Sequence, residues 1–529
     1  MGSKIGIIGA GPGGLAAGML LADIDEFEVV IFEAEDKVGG RNGKIELGEF
    51  TFDIGPTFFM MPFILEEIFA ATGRDLNNYV ELKMMDPFYK LEYSDGKQLK
   101  PSYNSEKFKK SIASINEEDV SGYDEYMKAN RKKVQYTLPV LQRPYTGWKD
   151  MFNLDILKLL TVLKPHRSLW DELGNYFSDD RVKVGFTFQS KYLGMSPYNC
   201  PSMFSILPFI EYNWGVYHVM GGLNQLAKAM AEAFAEMGGE IKLNTEVDEL
   251  LINDNREVEG VRLEDASEVH LDEVVMNSDF AWSMKNIIPQ EKRKKYSDYR
   301  LDRLNYSCST FMLYLGLDRE YPDLEHNNVF IADDYEKNFL EIESEKELSA
   351  DPSFYVQNAA VTDSSLAPEG KTPLYVLVPV ANLKGNIDWA EEKNRYRELI
   401  LDKLDNKIGD GNIREHIIEE KMVTPRDWQN DLRVGYGATF NLGHNLRQML
   451  VFRPQNKFEE FENMWLVGGG TNPGSGLPTI YESGRIAANL IKRKYGLSYT
   501  FSHKNEIKRL IKENPTEHLP EDIAGDKNY

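Results

Sequence analysis

The sequence predicts an α/β fold in which a Rossmann-like nucleotide-binding domain is discontinuous along the chain and a mixed-sheet domain accompanies it. Three observations predict this fold: a glycine-rich turn inside a βαβ pattern near the start, a second glycine-rich loop near the end, and a length of 529 residues. A chain of that length exceeds the size at which one core usually stops growing. If both glycine-rich turns hold one ligand, the two ends of the chain meet around a large bipartite molecule.

The start of the chain is predicted to form a βαβ unit. Residues 4–8 are a short apolar strand, residues 14–22 a helix, and residues 28–32 a second strand that ends at the acid Glu33. Glu33 is therefore placed to accept hydrogen bonds from a ribose. Because strand, helix, second strand and terminal acid agree, the unit predicts dinucleotide binding.

Each glycine of the first turn has a separate predicted role. Gly9 permits the tight bend, Gly11 lets the backbone approach a pyrophosphate, and Gly14 lets the helix pack closely on the strand. The helix N-terminus then faces the anion. The predicted cofactor-binding residues of this turn are Gly9, Gly11, Pro12, Gly13 and Gly14.

The segment after the second strand distinguishes between dinucleotides. Residues 33–41, EAEDKVGGR, resemble the extension found in flavoproteins of the glutathione-reductase and amine-oxidase types. In that superfamily the Gly-Gly-Arg turn supplies backbone donors and a cation beside the diphosphate. The resemblance implies FAD as the cofactor, bound by Glu33, Ala34, Gly40 and Arg41, with a plain surface charge as the alternative for Arg41.

A bend at Gly55, Pro56 and Thr57 narrows the resemblance. A permissive glycine followed by a fixed proline φ lets the backbone run close to a flat ligand. The bend and the Met-Pro that follows resemble the phytoene desaturase and diapophytoene (dehydrosqualene) desaturase family of bacterial carotenoid enzymes. Blocks similar to those of the family recur over nearly the whole chain, at residues 186–197, 217–223, 424–428, 437–440 and 452–454. The resemblance implies an FAD-dependent oxidoreductase that introduces C=C bonds into a C40 or C30 polyisoprenoid hydrocarbon.

The middle of the chain is predicted to return to the nucleotide fold. A helix is predicted from residue 223 to about 237, with Leu226, Met230, Ala233 and Phe234 on its core face. Residues 240–243 and 245–250 are predicted to be a strand pair, and the resemblance implies that Val247 meets the adenine side of FAD. The predicted domains are residues 1–85, 215–290 and 456–500 for FAD binding, 86–214 for a helical region facing substrate and membrane, 291–455 for substrate binding, and 501–529 for a polar tail.

The second glycine-rich loop is predicted to face the flavin ring. It follows a strand at residues 465–467, spans residues 468–476, and leads into a helix over residues 479–495 begun by a proline. That helix N-terminus would stabilise the negative charge of reduced flavin. The predicted contacts are Gly468, Gly469, Gly476, Leu477, Pro478 and Thr479. Asn472 replaces the histidine of the family signature, so packing or hydrogen bonding is expected there instead of proton transfer.

The catalytic base is unknown from the sequence. No Ser-His-Asp pattern or metal-ligand spacing competes with flavin chemistry, and the eight histidines are scattered. Glu482, predicted to lie in the first turn of the flavin-facing helix, is the only candidate, and the helix dipole explains an acid there equally. A carotenoid isomerase without net oxidation, a flavin amine oxidase and a flavin-bearing membrane scaffold remain alternatives.

Composition and apolar segments indicate partners and compartment. The net charge of −23 argues against nonspecific binding to nucleic acid, and only two cysteines indicate a reducing compartment without disulfides. The Gly-Pro-Gly-Gly sequence at residues 11–14 interrupts the signal-like apolar stretch at the start, and no apolar run is long enough to span a bilayer. A cytoplasmic protein attached peripherally to the membrane is expected, with quinone or oxygen as electron acceptor and a homo-oligomer possible. Residues 135–170 fit an interfacial element or a buried lid equally, and residues 204–214 fit the wall of a substrate tunnel.

Overall fold

The computed structural model describes residues 2–141, 143–145, 163, 166–408 and 412–498. The predicted polar tail at 501–529 lies outside the described residues, and so does most of the predicted interfacial element, residues 142, 146–162 and 164–165. Among the described residues, no helix is long and apolar enough to cross a membrane.

The secondary structure alternates strands and helices. The strands are β1 Ser3–Ile8, β2 Phe27–Phe32, β3 Lys44–Leu47, β4 Phe50–Asp53, β5 Leu82–Met84, β6 Lys90–Glu92, β7 Gln98–Leu99, β8 Tyr217–Val219, β9 Glu240–Lys242, β10 Val247–Ile252, β11 Val258–Leu263, β12 Glu268–His270, β13 Glu273–Met276, β14 Ser309–Leu317, β15 Asn327–Phe330, β16 Phe354–Asn358, β17 Thr372–Val380, β18 Ile417–Val423 and β19 Met464–Leu466. The helices are α1 Pro12–Ala22, α2 Phe63–Ala71, α3 Ser105–Ala113, α4 Val120–Leu141, α5 Leu169–Leu173, α6 Asp180–Gly185, α7 Ile206–Trp214, α8 Asn224–Glu236, α9 Phe280–Asn286, α10 Asp298–Arg303, α11 Tyr335–Leu340, α12 Trp389–Ile408, α13 Ile413–His416, α14 Pro425–Asn430 and α15 Leu477–Lys494.

A five-stranded parallel sheet forms the first layer. Its order is β19-β13-β1-β2-β9, so strands from the two ends and the middle of the chain lie side by side. Parallel strands of this kind are buried on both faces, and the buried residues 5–8 of β1 and 274–276 of β13 are accordingly free of polar side chains. Helix α1 is buried from Gly13 to Leu21 and packs against α15. The α/β fold expected from the βαβ unit is confirmed.

A seven-stranded mixed sheet forms the second layer. Its order is β18-β14-β17-β16-β15-β6-β7, with β14 buried along its whole length between β17 and β18. β6 and β7 come from the stretch 86–214, which the sequence predicted to be helical, so that region also contributes strands. The sheet carries its own apolar core, packed by α12 through Trp389, Tyr396 and Ile400.

The prediction that the two strands within residues 240–250 pair with each other is wrong. Both strands exist, but β9 joins the edge of the parallel sheet beside β2, whereas β10 pairs with β11 in a separate three-stranded antiparallel sheet. The backbone of Asn244 and Thr245 instead bonds to Glu35 and Glu33, which directs the chain from one sheet to the other. The preceding helix is confirmed, because its four predicted core residues are fully buried in α8.

Candidate active site

The first glycine-rich turn connects β1 to α1 and is tightly packed. Gly9 has φ +98°, a conformation that L side chains rarely adopt, and its N–H donates to the Phe32 carbonyl at 2.8 Å. A Cβ at Gly14 would lie 2.4 Å from the Gly9 carbonyl oxygen. These contacts agree with the bend and close packing expected of Gly9 and Gly14.

Asn277, just after β13, closes the same turn from the other side. Its amide Nδ2 donates to the Gly9 carbonyl at 3.0 Å. A Cβ at Gly11 would lie 2.9 Å from Asn277 Nδ2, and one at Gly13 2.8 Å from Asn277 Oδ1. Gly11 is the N-cap of α1, Pro12 is its first residue, and no side chain caps this helix. The turn therefore leaves an uncapped helix N-terminus, which is the arrangement that binds a diphosphate.

Glu33 ends β2 and lies directly beside that turn. Its Oε2 accepts the Ala10 N–H at 2.7 Å and its Oε1 accepts the Glu35 N–H at 3.0 Å. Burial raises the pKa of Glu33, and the two backbone hydrogen bonds act in the opposite direction. Ala34 follows on the half-buried side of the strand end. Because Glu33 is buried, its carboxylate takes its hydrogen bonds from the protein rather than from water. A carboxylate in this position is suited to accept a further hydrogen bond from a ribose hydroxyl.

The Gly-Gly-Arg turn packs on the first turn through a Gly39 N–H that donates to the Ala10 carbonyl at 2.9 Å. Gly40 has φ +53° and faces open space, because a Cβ there would meet nothing within 4 Å. The Arg41 guanidinium donates to the Thr439 carbonyl at 2.9 Å, while the buried Thr439 hydroxyl has no partner. The Arg41 cation therefore lies beside a buried hydroxyl that has no protein partner, and Gly40 leaves open space next to it.

The bend at residues 55–57 is fixed by tyrosines of the seven-stranded sheet. The Tyr375 hydroxyl donates to the Gly55 carbonyl at 2.7 Å, and the Tyr355 hydroxyl lies 2.9 Å from Thr57 Oγ1. A Cβ at Gly55 would lie 2.8 Å from the Arg41 carbonyl oxygen, so Pro56 and its neighbours run close to the Gly-Gly-Arg turn. These tyrosines were not identified from the sequence, because their partners lie 320 and 298 residues away along the chain.

The second glycine-rich loop meets the first. A Cβ at Gly13 would lie 3.1 Å from the Gly468 nitrogen and 3.3 Å from Ile480 Cγ2. A Cβ at Gly484 of α15 would lie 2.6 Å from the Gly13 carbonyl oxygen. The two glycine-rich segments therefore lie in contact, at the place where the sequence expects one ligand to bridge them.

The predicted residues of this loop occupy the start of α15. Gly468 has φ +101° and donates its N–H to Ser483 Oγ at 2.8 Å, and Gly476 is the N-cap with φ +114°. Leu477 and Pro478 begin the helix, and the Thr479 hydroxyl donates to the Gly476 carbonyl at 2.9 Å. Gly469 faces inward and accepts a hydrogen bond from a buried guanidinium. As in α1, no side chain caps this N-terminus.

Glu482 is placed differently from the prediction. Since α15 begins at Leu477, Glu482 lies in its second turn rather than its first. Its carboxylate is buried and binds the Arg485 guanidinium, which also contacts Glu67 Oε2 at 2.6 Å. This arrangement favours a role in a buried ion-pair cluster over a role as proton acceptor.

Val247 starts β10 and is buried, outside the parallel sheet. Next to it, Glu246 binds the Arg433 guanidinium at 2.7 and 3.0 Å, and the same guanidinium reaches Glu35 at 2.8 Å. Arg433 was missed, because the pairing spans almost 400 residues and leaves no local pattern. It ties the strand that carries Val247 to the segment after Glu33.

Asn472 is buried and hydrogen-bonded, as expected for a position without a histidine. Its Nδ2 lies 3.4 Å from both Asn456 Oδ1 and the Arg143 carbonyl oxygen. A histidine from another segment, His444, accepts the Ser475 N–H at its Nε2 at 3.0 Å. Burial lowers the pKa of His444 well below its usual value, so this imidazole is neutral.

Together these residues fit a dinucleotide with a flat ring system. Two uncapped helix N-termini, an arginine and a buried acid lie along these contacting turns, and Gly11, Gly13 and Gly14 leave no room for a Cβ. Within the described parts of the chain, no group of three or more His, Cys, Asp or Glu is arranged to hold a metal ion.

Comparison with known proteins gives three kinds of match. The family model described as flavin containing amine oxidoreductase matches residues 12–492. A 4,4'-diapophytoene desaturase (4,4'-diapolycopene-forming) of Methylomonas sp is 45% identical over 93% of this chain and 96% of its own length, and an all-trans-zeta-carotene desaturase of Myxococcus xanthus is 36% identical over 93% of each. An oxidoreductase from Methanosarcina mazei has a similar structure, with a TM-score of 0.58 at 17% identity over 91% of this chain and 98% of the other.

Proposed function

The chain belongs to the flavin-containing amine oxidoreductase family, and we propose that it desaturates a C30 polyisoprenoid hydrocarbon with FAD as its cofactor. It is an FAD-dependent carotenoid desaturase, since relatives of 45% and 36% identity over almost its whole length are enzymes of that kind. The C30 chain length is supported by the higher of those identities, which belongs to a diapophytoene desaturase.

The proposal for the cofactor site is carried by one observation, the contact between the two glycine-rich turns at Gly13 and Gly468. In this proposal the N-terminus of α1 and Arg41 bind the diphosphate, and Glu33 binds the ribose. The bend at residues 55–57 and the N-terminus of α15 orient the ring. Bound FAD supplies the hydride acceptor, and the chain supplies orientation and exclusion of water.

A polyisoprenoid substrate dissolves in membranes, so we infer peripheral attachment to the cytoplasmic membrane, with a membrane quinone as the electron acceptor. Leu446 and Phe452 support this inference, because each is a large apolar side chain exposed by 46%. The neighbouring Leu450 packs with Tyr145, at the described edge of the predicted interfacial element. Apolar contact suits a protein whose net charge of −23 repels anionic lipid.

The activity test uses the purified, FAD-loaded protein in liposomes that contain either the C30 or the C40 precursor and a quinone. We expect the C30 precursor to lose two hydrogens in each step, which mass spectrometry measures, and the product to absorb visible light. Gly14→Ala removes FAD binding and activity because its Cβ would lie 2.4 Å from the Gly9 carbonyl oxygen. Gly174→Ala is the matched control, since its Cβ would make only ordinary contacts from 3.5 Å. A loaded enzyme that leaves both precursors at unchanged mass contradicts the proposal.

Membrane attachment is tested by sedimentation with the same liposomes. Leu446→Ser with Phe452→Ser is expected to reduce the fraction of protein that pellets with vesicles. Ile418→Ser on β18 is the control, because Ile418 is equally exposed at 46% but lies on the seven-stranded sheet. Equal pelleting of both variants and the wild type refutes the assigned surface. Oxygen in place of quinone as the acceptor is distinguished by hydrogen peroxide release.

A further inference from the structure

Arg453 is a fully buried charged residue that is hydrogen-bonded to the second glycine-rich loop. Its side chain is 0% exposed, and it is the one charged residue among the largest fully buried side chains of the described residues. The sequence singled out residues 452–454 only as a block similar to those of carotenoid desaturases, without a role for the arginine.

Arg453 is satisfied entirely by backbone carbonyl groups. Its guanidinium donates to Gly469 at 2.6 Å and to Thr471 at 3.0 Å, both in the glycine-rich loop. It also donates to three carbonyls of the segment before it: Leu442 at 3.2 Å, Gln448 at 3.2 Å and Gly443 at 3.4 Å. These five hydrogen bonds fix the loop to residues 442–448.

No carboxylate of the described chain compensates this charge. Burial alone lowers the pKa of Arg453 to about 9, with no anionic partner acting against it. The nearby His444 is neutral, so it neither adds to nor cancels the charge. Carbonyl dipoles offset the cost of burial, but they do not cancel a net positive charge.

Arg485 provides the contrast inside the same part of the fold. It is 3% exposed, almost as buried as Arg453, yet it is bound by the carboxylates of Glu67 and Glu482. Its pKa is raised, because those carboxylates outweigh the effect of burial. Arg485 is therefore held in a buried ion pair, whereas Arg453 is bound only by backbone carbonyl groups of the described chain.

We propose that Arg453 is a positioning residue whose uncompensated charge acts through the loop at residues 468–476 to stabilise reduced FAD and raise its reduction potential. The inference rests on the proposed function, in which this loop faces the flavin ring. Two-electron reduction by the substrate places negative charge on the ring when one proton rather than two is taken up. A fixed cation in a low-dielectric interior favours that anion.

The test measures the midpoint potential of the FAD-loaded protein by dye equilibration. Arg453→Met is expected to lower about tenfold the preference for reduced over oxidised FAD, which corresponds to about 30 mV for a two-electron couple. Arg453→Lys keeps the charge and is expected to restore most of the potential. The control is Arg485→Met with Glu482→Gln, which removes a buried guanidinium at constant net charge and is expected to leave the potential unchanged.

The wild-type protein gives a second readout that needs no variant to fold. If the charge acts as proposed, reduction takes up one proton per two electrons even below neutral pH, and uptake of two protons overturns the inference. An unchanged potential in loaded Arg453→Met also overturns it, and so does an equal shift in Arg453→Lys. A chain that binds no FAD refutes the inference and the proposed function together, whereas a loaded chain with the expected potentials but no desaturated product refutes only the function.

Discussion

The contact between α1 and α15 can be tested by adding one methyl group at Gly484. A Cβ there would lie 2.6 Å from the Gly13 carbonyl oxygen, about 0.8 Å short of the lower limit of ordinary van der Waals contact, and 2.8 Å from Ala16 Cβ. Both neighbours belong to a buried helix that cannot yield as a flexible side chain does. We expect Gly484→Ala to separate the helices and to cost about 1–3 kcal/mol of unfolding free energy.

The same separation moves the two helix N-termini that are proposed to hold one cofactor. A loss of about 1.4 kcal/mol in that joint binding lowers FAD affinity about tenfold. Flavin fluorescence during titration of apoprotein measures the affinity, and thermal unfolding measures the stability. Gly174→Ala, at the end of α5 with φ −60°, is the control and is expected to match the wild type in both measurements. A Gly484→Ala protein that is less stable but binds FAD normally refutes the claim that the helix contact sets the cofactor site.

Three further predictions follow from individual side chains. Burial raises the pKa of Glu211 to about 8, so unfolding ionises this group between pH 4.5 and about 8, and wild-type stability falls as pH rises through that window. Glu211→Gln keeps an acceptor for the Tyr89 hydroxyl, which donates to Glu211 at 2.8 Å. As the pH rises through this window, the unfolding free energy of the variant is expected to increase relative to that of the wild type. A difference between the two proteins that does not change with pH in chemical denaturation contradicts this prediction. Glu33→Gln is expected to weaken FAD binding about 10- to 150-fold, since a hydrogen bond to a charged group contributes about 1.5–3 kcal/mol. Unchanged affinity in titration contradicts the ribose role. Arg433→Ala is expected to weaken FAD binding by less than Glu33→Gln does, because the ion pair between Arg433 and Glu246 is partly exposed. The difference in affinity between wild type and variant is expected to shrink at high salt. Equal affinities of the two proteins at both low and high salt contradict this prediction.

Local sequence signals predicted the parts of the site that local chemistry determines. Gly9, Gly14 and Gly476 need glycine because their backbone angles or packing allow nothing else, so a pattern of a few residues suffices to find them. The βαβ unit was found because both strands and the helix lie within the first 33 residues. The start of α15 at Leu477 shows the limit, since two residues of error moved Glu482 from the second turn to the first.

Contacts between distant segments were not predictable from one sequence. Arg433 and Tyr375 contact residues that are far away in the chain. The role of Arg453 depends on which backbone carbonyls face its guanidinium. Residue spacing in the sequence indicates none of these pairings. For the same reason β9 and β10 were assigned to one pair, although their apolar residues are used by two different sheets. The tertiary fold determines which strands pair, whereas the local segment determines only its tendency to form a strand.

The order of the parallel sheet bears on how the protein is made. Strand β13 can pair with β1 soon after residue 276 leaves the ribosome, but its other edge waits for β19, which begins at Met464. At about 5–20 residues per second, this delay lasts roughly 10–40 s. During that interval the nascent chain presents an unpaired strand edge, so chaperone binding is expected to concentrate there. A chain truncated before β19 is expected to aggregate instead of remaining as a stable, partly folded protein.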